Sequence, residues 1–229
     1  MKPLLIHTGP LNVNTFLIPL CDNKVIIIDP AACAFSGDEQ RLETFINKNN
    51  FQPIAAIVTH GHFDHVSGLP FLKRKYPEIL IGIHEQDAVF LGKNSEKLQD
   101  MTLSQMGFEA FLPYVSNLPE PTNILNDGEN LATTFSQIQD ENLRAALEKW
   151  TVIHTPGHTP GAICLYNNDE GLLISGDTLF FQGCGRTDLP GGDEYKLRQS
   201  LELLAKKVNP DAKVFPGHDL VEFKLSEGL

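Results

Sequence analysis

The sequence predicts a layered α/β fold, and two patterns support that prediction. Short apolar runs rich in β-branched residues, such as 53–59 and 172–175, indicate buried strands. Amphipathic segments such as 193–208 alternate with these runs, which favours packed layers of sheet and helix over an all-helical or all-β protein. Because 229 residues suit one well-filled core, we expect residues 1–229 to form a single domain.

The individual elements follow in order from hydrophobic periodicity and turn residues. Strands are predicted at 14–20, 24–29, 53–59, 78–84, 149–154, 162–166, 172–175 and 212–215. Helices are predicted at 36–49, with Ser36 as the N-cap, at 67–76 and at 193–208. Residues 86–149 hold broken helical patterns around a proline-rich stretch, so we predict a helical insertion there. A lid, an oligomer contact and surface decoration are its alternative roles.

Charge and composition exclude several classes of function. Eighteen basic and 29 acidic residues give a net charge of −11, which argues against a nucleic acid or an anionic membrane as the main partner. No apolar run reaches the roughly 18 residues of a membrane span, and prolines and His7 interrupt any signal-peptide core. The four cysteines form no CxxC pair, which is typical of reduced thiols. We therefore expect a soluble cytoplasmic protein.

Three histidines and one aspartate lie within the stretch THGHFDH at 59–65. Imidazole and carboxylate groups are the usual nitrogen and oxygen ligands of zinc and of other first-row divalent ions. A strand would place His60, His62 and Asp64 on one face and His65 on the other, and a helix would separate them too. A tight turn after the preceding strand can gather all four, and Gly61 would supply that turn with a residue that has no Cβ atom and has free access to unusual backbone angles.

Three further strand ends carry a metal-capable side chain after a glycine-containing turn. These side chains are His158 in TPGHTPG, Asp177 in SGDTLF and His218 in PGHD. One alone is weak evidence, because a histidine after Pro-Gly is usually a solvated turn residue. Four such strand ends can converge on one rim of two packed sheets. Two metals could then bind there, one at His60, His62 and His158, a second at Asp64, His65 and His218, with Asp177 as a bridge.

These motifs, in this order, resemble those of the metallo-β-lactamase superfamily, and the resemblance extends from the IIIDP segment to His218. It implies an αββα sandwich, in which two mixed β-sheets pack together with helices outside, and a dinuclear metal centre at the strand rim. The superfamily motif maps onto the same seven ligands, and Asp29 matches an aspartate that orders the metal-binding loop. Zinc is the expected metal, and this ligand set also accepts iron or manganese.

The longer string SGDTLFFQGCGRTDLPGGD is similar to the glyoxalase II group, in particular to its compact bacterial members. This resemblance implies a hydroxyacylglutathione hydrolase, which cleaves the small thioester S-lactoylglutathione with a hydroxide generated at the metals. Asp64 and Asp177 would orient the hydroxide and take part in its proton balance. Arg186 would bind a glutathione carboxylate, and an ion pair with Asp188 inside the loop is the alternative. Asp188 replaces an aromatic residue of that pattern, so other small thioesters are also candidates.

Two other functions remain as alternatives. Persulfide dioxygenases also resemble this chain, including the GCGRTD motif, and hold a single iron that would here use His60, His158 and Asp177. A non-catalytic binding module that kept the fold would have lost metal ligands, and the sequence retains all seven. The commonest class of true β-lactamases carries a cysteine in place of Asp177, which argues against antibiotic hydrolysis.

The other cysteines and histidines are expected to be structural. Cys184 is predicted to be a small buried side chain in a glycine-rich turn, with a reactive thiol near Asp177 as the alternative. The remaining cysteines are predicted to pack in the interior. Three histidines lack the strand-end glycine turn and are predicted not to bind metal: His7, His84 and His154.

Overall fold

The first of two mixed β-sheets contains six strands in sequence order. The computed structural model describes residues 2–229, apart from the side chain of Asn94. The strands are β1 (Leu4–Thr8), β2 (Val13–Pro19), β3 (Lys24–Ile28), β4 (Gln52–Ile57), β5 (Leu80–His84) and β6 (Asn123–Leu125). β1 to β3 pair antiparallel, and β3 to β6 pair parallel. β1 and β6 are not among the strands predicted from the sequence.

The second sheet comes from the C-terminal half of the chain. Its strands are β7 (Thr151–His154), β8 (Ile163–Asn167), β9 (Leu172–Gly176), β12 (Lys213–Pro216) and β13 (Phe223–Lys224). Their spatial order is β13-β12-β9-β8-β7, and only β12 and β9 are parallel neighbours. A separate ribbon pairs β10 (Leu179–Phe180) with β11 (Gly183–Cys184).

Helices and helical turns connect the strands. The helices are α1 (Glu39–Lys48), α2 (Phe63–Val66), α3 (Leu69–Lys75), α4 (Ser95–Met106), α5 (Leu131–Thr134), α6 (Glu141–Leu147), α7 (Glu194–Lys207) and α8 (Leu225–Gly228). Three 3-10 turns lie at Glu85–Phe90, Gly92–Asn94 and Glu109–Tyr114. The segment 86–149 is thus mostly helical, but it also supplies the edge strand β6. Across residues 2–229, no helix combines the length and apolarity needed to cross a lipid bilayer.

The N-cap predicted for the first helix is wrong. α1 begins after Asp38, not after Ser36, and the Asp38 side chain does not cap the helix. Its carboxylate instead accepts hydrogen bonds from the backbone N–H groups of Gly9 (2.7 Å) and Cys33 (2.9 Å). Asp38 therefore ties the turn after β1 to the loop before α1, a long-range contact that local capping patterns do not reveal.

Alternating side chains on the strands build the predicted αββα layers. On β3, Val25 and Ile27 pack on one face against the helices, whereas Ile26 and Ile28 pack on the other face against the second sheet. The inter-sheet core joins them to residues such as Leu165 of β8. A third apolar cluster lies between the second sheet and α7. The predicted fold class is confirmed, because each sheet buries one face against the other sheet and one against helices.

The carboxyl ends of four strands meet at one rim. β12 and β9 run parallel, and β7 points the same way because β8 is antiparallel to both β7 and β9. The end of β4 joins this rim because the carbonyl of Thr59 accepts a hydrogen bond from the N–H of Ile163 (2.9 Å), which begins β8. The loops after these four strands therefore lie together, as the sequence predicted.

Candidate metal centre

The seven predicted ligands converge at this rim in overlapping groups. Each group has ligand atoms within 4.8 Å of one another, and the groups are His60, His62 and His158; His60, His65 and Asp177; and Asp64, His65 and His218. Five of the seven side chains are fully buried or nearly so, while His218 and Asp177 keep 19% and 11% of their side-chain surface exposed. The open side of the site is therefore at His218 and Asp177.

The first group presents three imidazoles with fixed orientations. The Nε2 atoms of His60 and His158 lie 3.2 Å apart, close to the ~3.4 Å expected for two ligands about 2.1 Å from one tetrahedral ion. His158 Nδ1 donates to the carbonyl of Arg186 (2.7 Å), which leaves its Nε2 free as an acceptor. His62 Nε2 is buried and finds no hydrogen-bond partner among residues 2–229. Three imidazole nitrogens thus face one space.

The second group combines imidazole and carboxylate. The Nε2 atoms of His65 and His218 lie 3.2 Å apart, and Asp64 Oδ2 lies 3.3 Å from His218 Nε2. Asp177 lies between the two groups, because its carboxylate oxygens are 3.5 Å from His65 Nε2, 3.6 Å from His218 Nε2 and 3.7 Å from His158 Nε2. One carboxylate can therefore contact ions in both groups.

Asp29 contacts one histidine of each group, His65 directly and His60 through Thr59. Its carboxylate accepts from the N–H (2.7 Å) and the hydroxyl (2.8 Å) of Thr59, and it lies 3.1 Å from His65 Nδ1. Since the Thr59 hydroxyl donates to Asp29, its oxygen is free to accept from His60 Nδ1 at 3.1 Å. Asp29 itself has a positive φ of 48°, which turns the chain at the end of β3. Asp29 thus orients one imidazole of each group.

The electrostatics of the two groups differ. Burial lowers the pKa of His60 and His62 well below the ordinary value, and the neighbouring imidazoles lower it further, so both rings are neutral. Burial would also lower the pKa of His65, but the carboxylates of Asp177, Asp64 and Asp29 outweigh it and raise that pKa to about 10. The first group therefore offers neutral imidazoles, and the second has the negative potential that attracts a cation.

The residues present fit divalent metal ions. Within the described residues, both His62 Nε2 and Asp177 Oδ1 are buried polar atoms without a hydrogen-bond partner. A buried polar atom without a partner costs roughly 1–3 kcal/mol, so such atoms are expected where a ligand satisfies them. Nitrogen and carboxylate oxygen are ligands for zinc, iron and manganese. A cation at each group would satisfy these atoms and offset the charge of Asp64 and Asp177.

Of the two properties predicted for Gly61, the loop of THGHFDH requires the missing Cβ atom and not an unusual backbone angle. Gly61 does not adopt a positive φ; a Cβ atom there would lie 2.4 Å from the ring of Phe90. The glycine is required by close approach of the 3-10 turn Glu85–Phe90, not by backbone angle. After the loop, Asp64 and His65 lie in the short helix α2, which turns both toward the rim.

Arg186 adopts the arrangement that was the alternative in the sequence analysis. Its guanidinium makes a bidentate pair with Asp188 (2.7 and 2.8 Å), and the side chain is 48% exposed. Its backbone carbonyl fixes His158, and its charge is close enough to contribute, after burial and nearby imidazoles, to the lowered pKa of His62. Arg186 is therefore next to the first group, and its contact with substrate stays a prediction.

The structural role predicted for Cys184 is wrong, because this residue is exposed on β11. β11 forms a two-stranded ribbon with β10, and both of its residues, Gly183 and Cys184, are exposed. All four cysteines fall in the described part of the chain and are free, and Cys33 and Cys164 are buried as predicted. Cys21 is half-buried.

Native-state alkylation should separate these thiols. At pH 8, iodoacetamide is expected to modify Cys184 first, while Cys164 stays unmodified, because burial raises the pKa of Cys164 to about 11 and excludes the reagent. Both cysteines lie on the tryptic peptide 150–186, so tandem mass spectrometry of that peptide locates the modified residue from its fragment ions and measures the order of modification. Cys184→Ser is the control that removes the fast-reacting site, and equal labelling of Cys164 in the folded protein would contradict the burial.

The other histidines lie outside the ligand groups that residues 2–229 form. His84 and His154 stack with ring centroids 4.0 Å apart, and His154 Nε2 lies 2.9 Å from the carbonyl of Pro160. Burial and the neighbouring His154 lower the pKa of His84 to about 4, so its ring is neutral. Both histidines have packing partners, which is consistent with a structural role.

Two residues that shape the site were missed by the sequence analysis. Asn14 on β2 donates to the carbonyls of Pro216 (3.0 Å) and Asp219 (3.1 Å), which flank His218. Asp87 accepts hydrogen bonds from the loops that carry His62 and His158. Asp87 follows a strand end, a signal the sequence does contain, but the partners of both residues are distant along the chain.

The layered sandwich and the histidine- and aspartate-rich rim define the class of αββα proteins with a candidate dinuclear metal centre. The chain belongs to the metallo-beta-lactamase superfamily, because the sequence model of that family matches residues 8–218. This match includes all seven candidate ligands.

Individual relatives are similar over most of their length. The chain is 29% identical over 222 residues to the probable metallo-hydrolase YqgX of Bacillus subtilis (strain 168), covering 96% of this chain and 88% of that one. It is 29% identical over 197 residues to the hydroxyacylglutathione hydrolase GloC of Haemophilus influenzae (strain ATCC 51907 / DSM 11121 / KW20 / Rd), covering 86% and 81%. The crystal structure of TTHA1623 in a di-iron-bound form superposes with a TM-score of 0.75 at 26% identity, covering 99% and 96%.

Proposed function

We propose that this protein is a metal-dependent hydrolase of small acyl thioesters, with S-lactoylglutathione as the first candidate substrate. The observation that carries the proposal is the position of Asp177, within 3.7 Å of imidazole nitrogens from both groups. A di-iron form of the similar TTHA1623 supports two ions at such a rim. The activity named for the similar H. influenzae protein supports a glutathione thioester as substrate.

Two cation sites are assigned in this proposal. His60, His62 and His158 would hold one ion, Asp64, His65 and His218 a second, and Asp177 would contact both. Divalent ions held there supply hydroxide at neutral pH and polarise a carbonyl group. Zinc is the first candidate, with iron and manganese as the other ions that these ligands accept.

The chain's own residues would divide the remaining work. Asp64 stays ionised, since in the metal-free protein the charge of His65 and a hydrogen bond from His218 outweigh its burial and hold its pKa well below the ordinary value, and a bound cation would have the same effect. Asp177 Oδ1, which has no hydrogen bond within residues 2–229, would accept the proton of the attacking water. The substrate would approach from the exposed side of His218 and Asp177. No serine or cysteine nucleophile is needed.

The test combines metal content with two assays. Protein stripped with a chelator and reloaded with zinc, iron or manganese should bind nearly two ions per chain and cleave S-lactoylglutathione, with no activity before reloading. Oxygen uptake with glutathione persulfide is measured in parallel. One iron per chain with oxygen uptake and no thioester cleavage would overturn the hydrolase proposal and favour the persulfide dioxygenase.

Arg186 is proposed to bind a carboxylate of the glutathione moiety. Arg186→Ala is expected to raise KM for S-lactoylglutathione about tenfold, the usual effect of losing one charge-assisted hydrogen bond, and to leave kcat nearly unchanged. Steady-state kinetics of the zinc-loaded protein measures both constants.

Asp188→Asn is the matched variant, because it breaks the same ion pair but keeps the guanidinium. We expect its KM to fall or stay constant, since the freed guanidinium no longer has to leave Asp188. If both substitutions raise KM equally, the ion pair of Arg186 and Asp188 only stabilises the loop that contains it, and Arg186 does not contact the substrate.

A further inference from the structure

Asp87 is a buried carboxylate whose hydrogen-bond donors come from two separate loops. The residue is 0% exposed, lies in the 3-10 turn Glu85–Phe90, and forms no ion pair with a basic residue in the described chain. Oδ2 accepts from the Gly61 N–H (2.7 Å) and the Thr159 hydroxyl (2.6 Å), and Oδ1 accepts from the Gly161 N–H (2.6 Å). A buried carboxylate is costly unless such donors are present, so this arrangement strongly favours one geometry.

These donors flank the three imidazoles of the first group. Gly61 separates His60 from His62, and Thr159 follows His158 directly. The two loops belong to different sheets, since one follows β4 and the other follows β7. One carboxylate therefore joins the parts of the chain that supply the ligand atoms at His60, His62 and His158.

Close packing leaves the two loops little freedom to shift. A Cβ atom on Gly161 would lie 2.5 Å from the backbone nitrogen of Asp87, just as one on Gly61 would overlap Phe90. Gln99 on α4 donates to the Gly61 carbonyl (2.9 Å) and to the Phe90 carbonyl (3.2 Å). Both backbone groups of Gly61 are thus held by side chains from the segment 86–149, which gives that segment a role in supporting the site.

The second group is held by different residues. Asp29 contacts His65 directly, and Asn14 holds the loop of His218 through Pro216 and Asp219. Among the described residues, the hydrogen bonds of Asp87 reach Gly61, Thr159 and Gly161, and none reaches the helix α2 of Asp64 and His65 or the loop of His218. Losing the Asp87 carboxylate should therefore affect the two groups unequally.

We propose that Asp87 is a positioning residue for the first metal group. Its hydrogen bonds hold the loop of His60 and His62 against the loop of His158. The inference rests on the metal ligation in the proposed function but not on the identity of the substrate. Asp87→Asn keeps the size of the side chain and replaces one acceptor oxygen by an NH₂ group. In place of Oδ1, the NH₂ group would face the N–H of Gly161; in place of Oδ2, it would face the N–H of Gly61 and the hydroxyl of Thr159. Two donors cannot bond to each other, so in either orientation one of the two loops loses its hydrogen bond to residue 87.

Zinc affinity of single-group variants tests the proposal without turnover. His218→Ala leaves the first group intact, and His158→Ala leaves the second group with Asp64, His65 and His218. Adding Asp87→Asn should weaken zinc binding about 10- to 100-fold in the His218→Ala protein, the range typical of residues that orient metal ligands. It should change zinc binding less than about threefold in the His158→Ala protein. Competition with a chromophoric chelator measures these constants.

Two further variants control for loss of folding. Asp38→Asn is the matched control, because Asp38 also accepts two backbone N–H groups from separate loops but neither loop carries a ligand. It should leave both zinc affinities unchanged. Thr159→Val removes one of the three donors at nearly constant volume, and it should weaken zinc binding in the His218→Ala protein even if Asp87→Asn fails to fold.

Several outcomes would overturn the proposal. Equal weakening of both groups by Asp87→Asn, or no weakening of the first group by either variant, would mean that Asp87 does not position the first group. Absence of zinc binding by the His218→Ala protein would also overturn the proposal, because a first group that binds no ion by itself gives Asp87 no metal site to position. Failure to cleave S-lactoylglutathione would overturn the proposed function alone, since zinc affinity is measured without substrate.

Discussion

Asp177→Ala is expected to abolish thioester hydrolysis, with kcat/KM reduced at least about 10³-fold, and to lower the metal content of both groups. The reason is that its carboxylate oxygens lie 3.5 to 3.7 Å from His65, His158 and His218, so its loss removes a ligand from each proposed ion. It also removes the proposed proton acceptor. Elemental analysis and kinetics on the purified variant measure both effects.

Two control variants test whether the effect depends on the negative charge of Asp177 and whether it is specific to that residue. Asp177→Asn retains one oxygen but loses the negative charge, and it should keep more metal than alanine while remaining nearly inactive. Asp169→Ala removes a carboxylate from the exposed turn between β8 and β9, and it should retain metal and activity. If Asp177→Ala keeps two metals and full activity, the assignment of the site is wrong.

Asp29→Ala is expected to give the largest loss of stability, about 3–5 kcal/mol in the free energy of unfolding of the metal-free protein. Asp29 and His65 form a contact in which both side chains are almost fully buried. The substitution also leaves the buried N–H of Thr59 without its acceptor. Urea denaturation in the presence of a chelator measures this loss, and metal uptake should fall as well.

Asp22→Ala is the matched control for backbone strain. Asp22 has a positive φ of 47°, almost the same as the 48° of Asp29, but it is exposed. The cost of placing alanine in this backbone conformation should therefore be similar at both positions. A loss in Asp29→Ala no larger than that in Asp22→Ala would show that the contacts with His65 and Thr59 contribute little.

The fold class could be predicted because strands and helices here have strong local patterns. The runs that became β3, β4 and β9 are short, apolar and branched, and α7 repeats leucines at helical spacing. β6 was missed because three residues are too short for a recognisable pattern, and β1 was missed because its apolar run of three residues lies between Pro3 and His7. The N-cap of α1 was misplaced, because Asp38 makes long-range rather than capping contacts.

Some predictions about single residues were wrong where the answer depends on neighbours in space. Unusual backbone angles were predicted for Gly61 together with the missing Cβ atom, but only the missing Cβ is required, because the ring of Phe90 excludes a larger residue. Cys184 was assigned to the interior, but the ribbon of β10 and β11 places it at the surface. In both cases the local sequence is compatible with either arrangement.

The chemistry of the candidate site is visible in the sequence, because imidazole and carboxylate ligands recur directly after apolar strands and glycine turns at His60, His158, Asp177 and His218. The contacts that orient these ligands are not visible there. Asn14 reaches a loop 202 residues away, and Asp87 reaches Gly161 across 74 residues. Such pairs form only when two sheets and the segment between them pack together, so they depend on the three-dimensional arrangement of the chain and not on any local pattern.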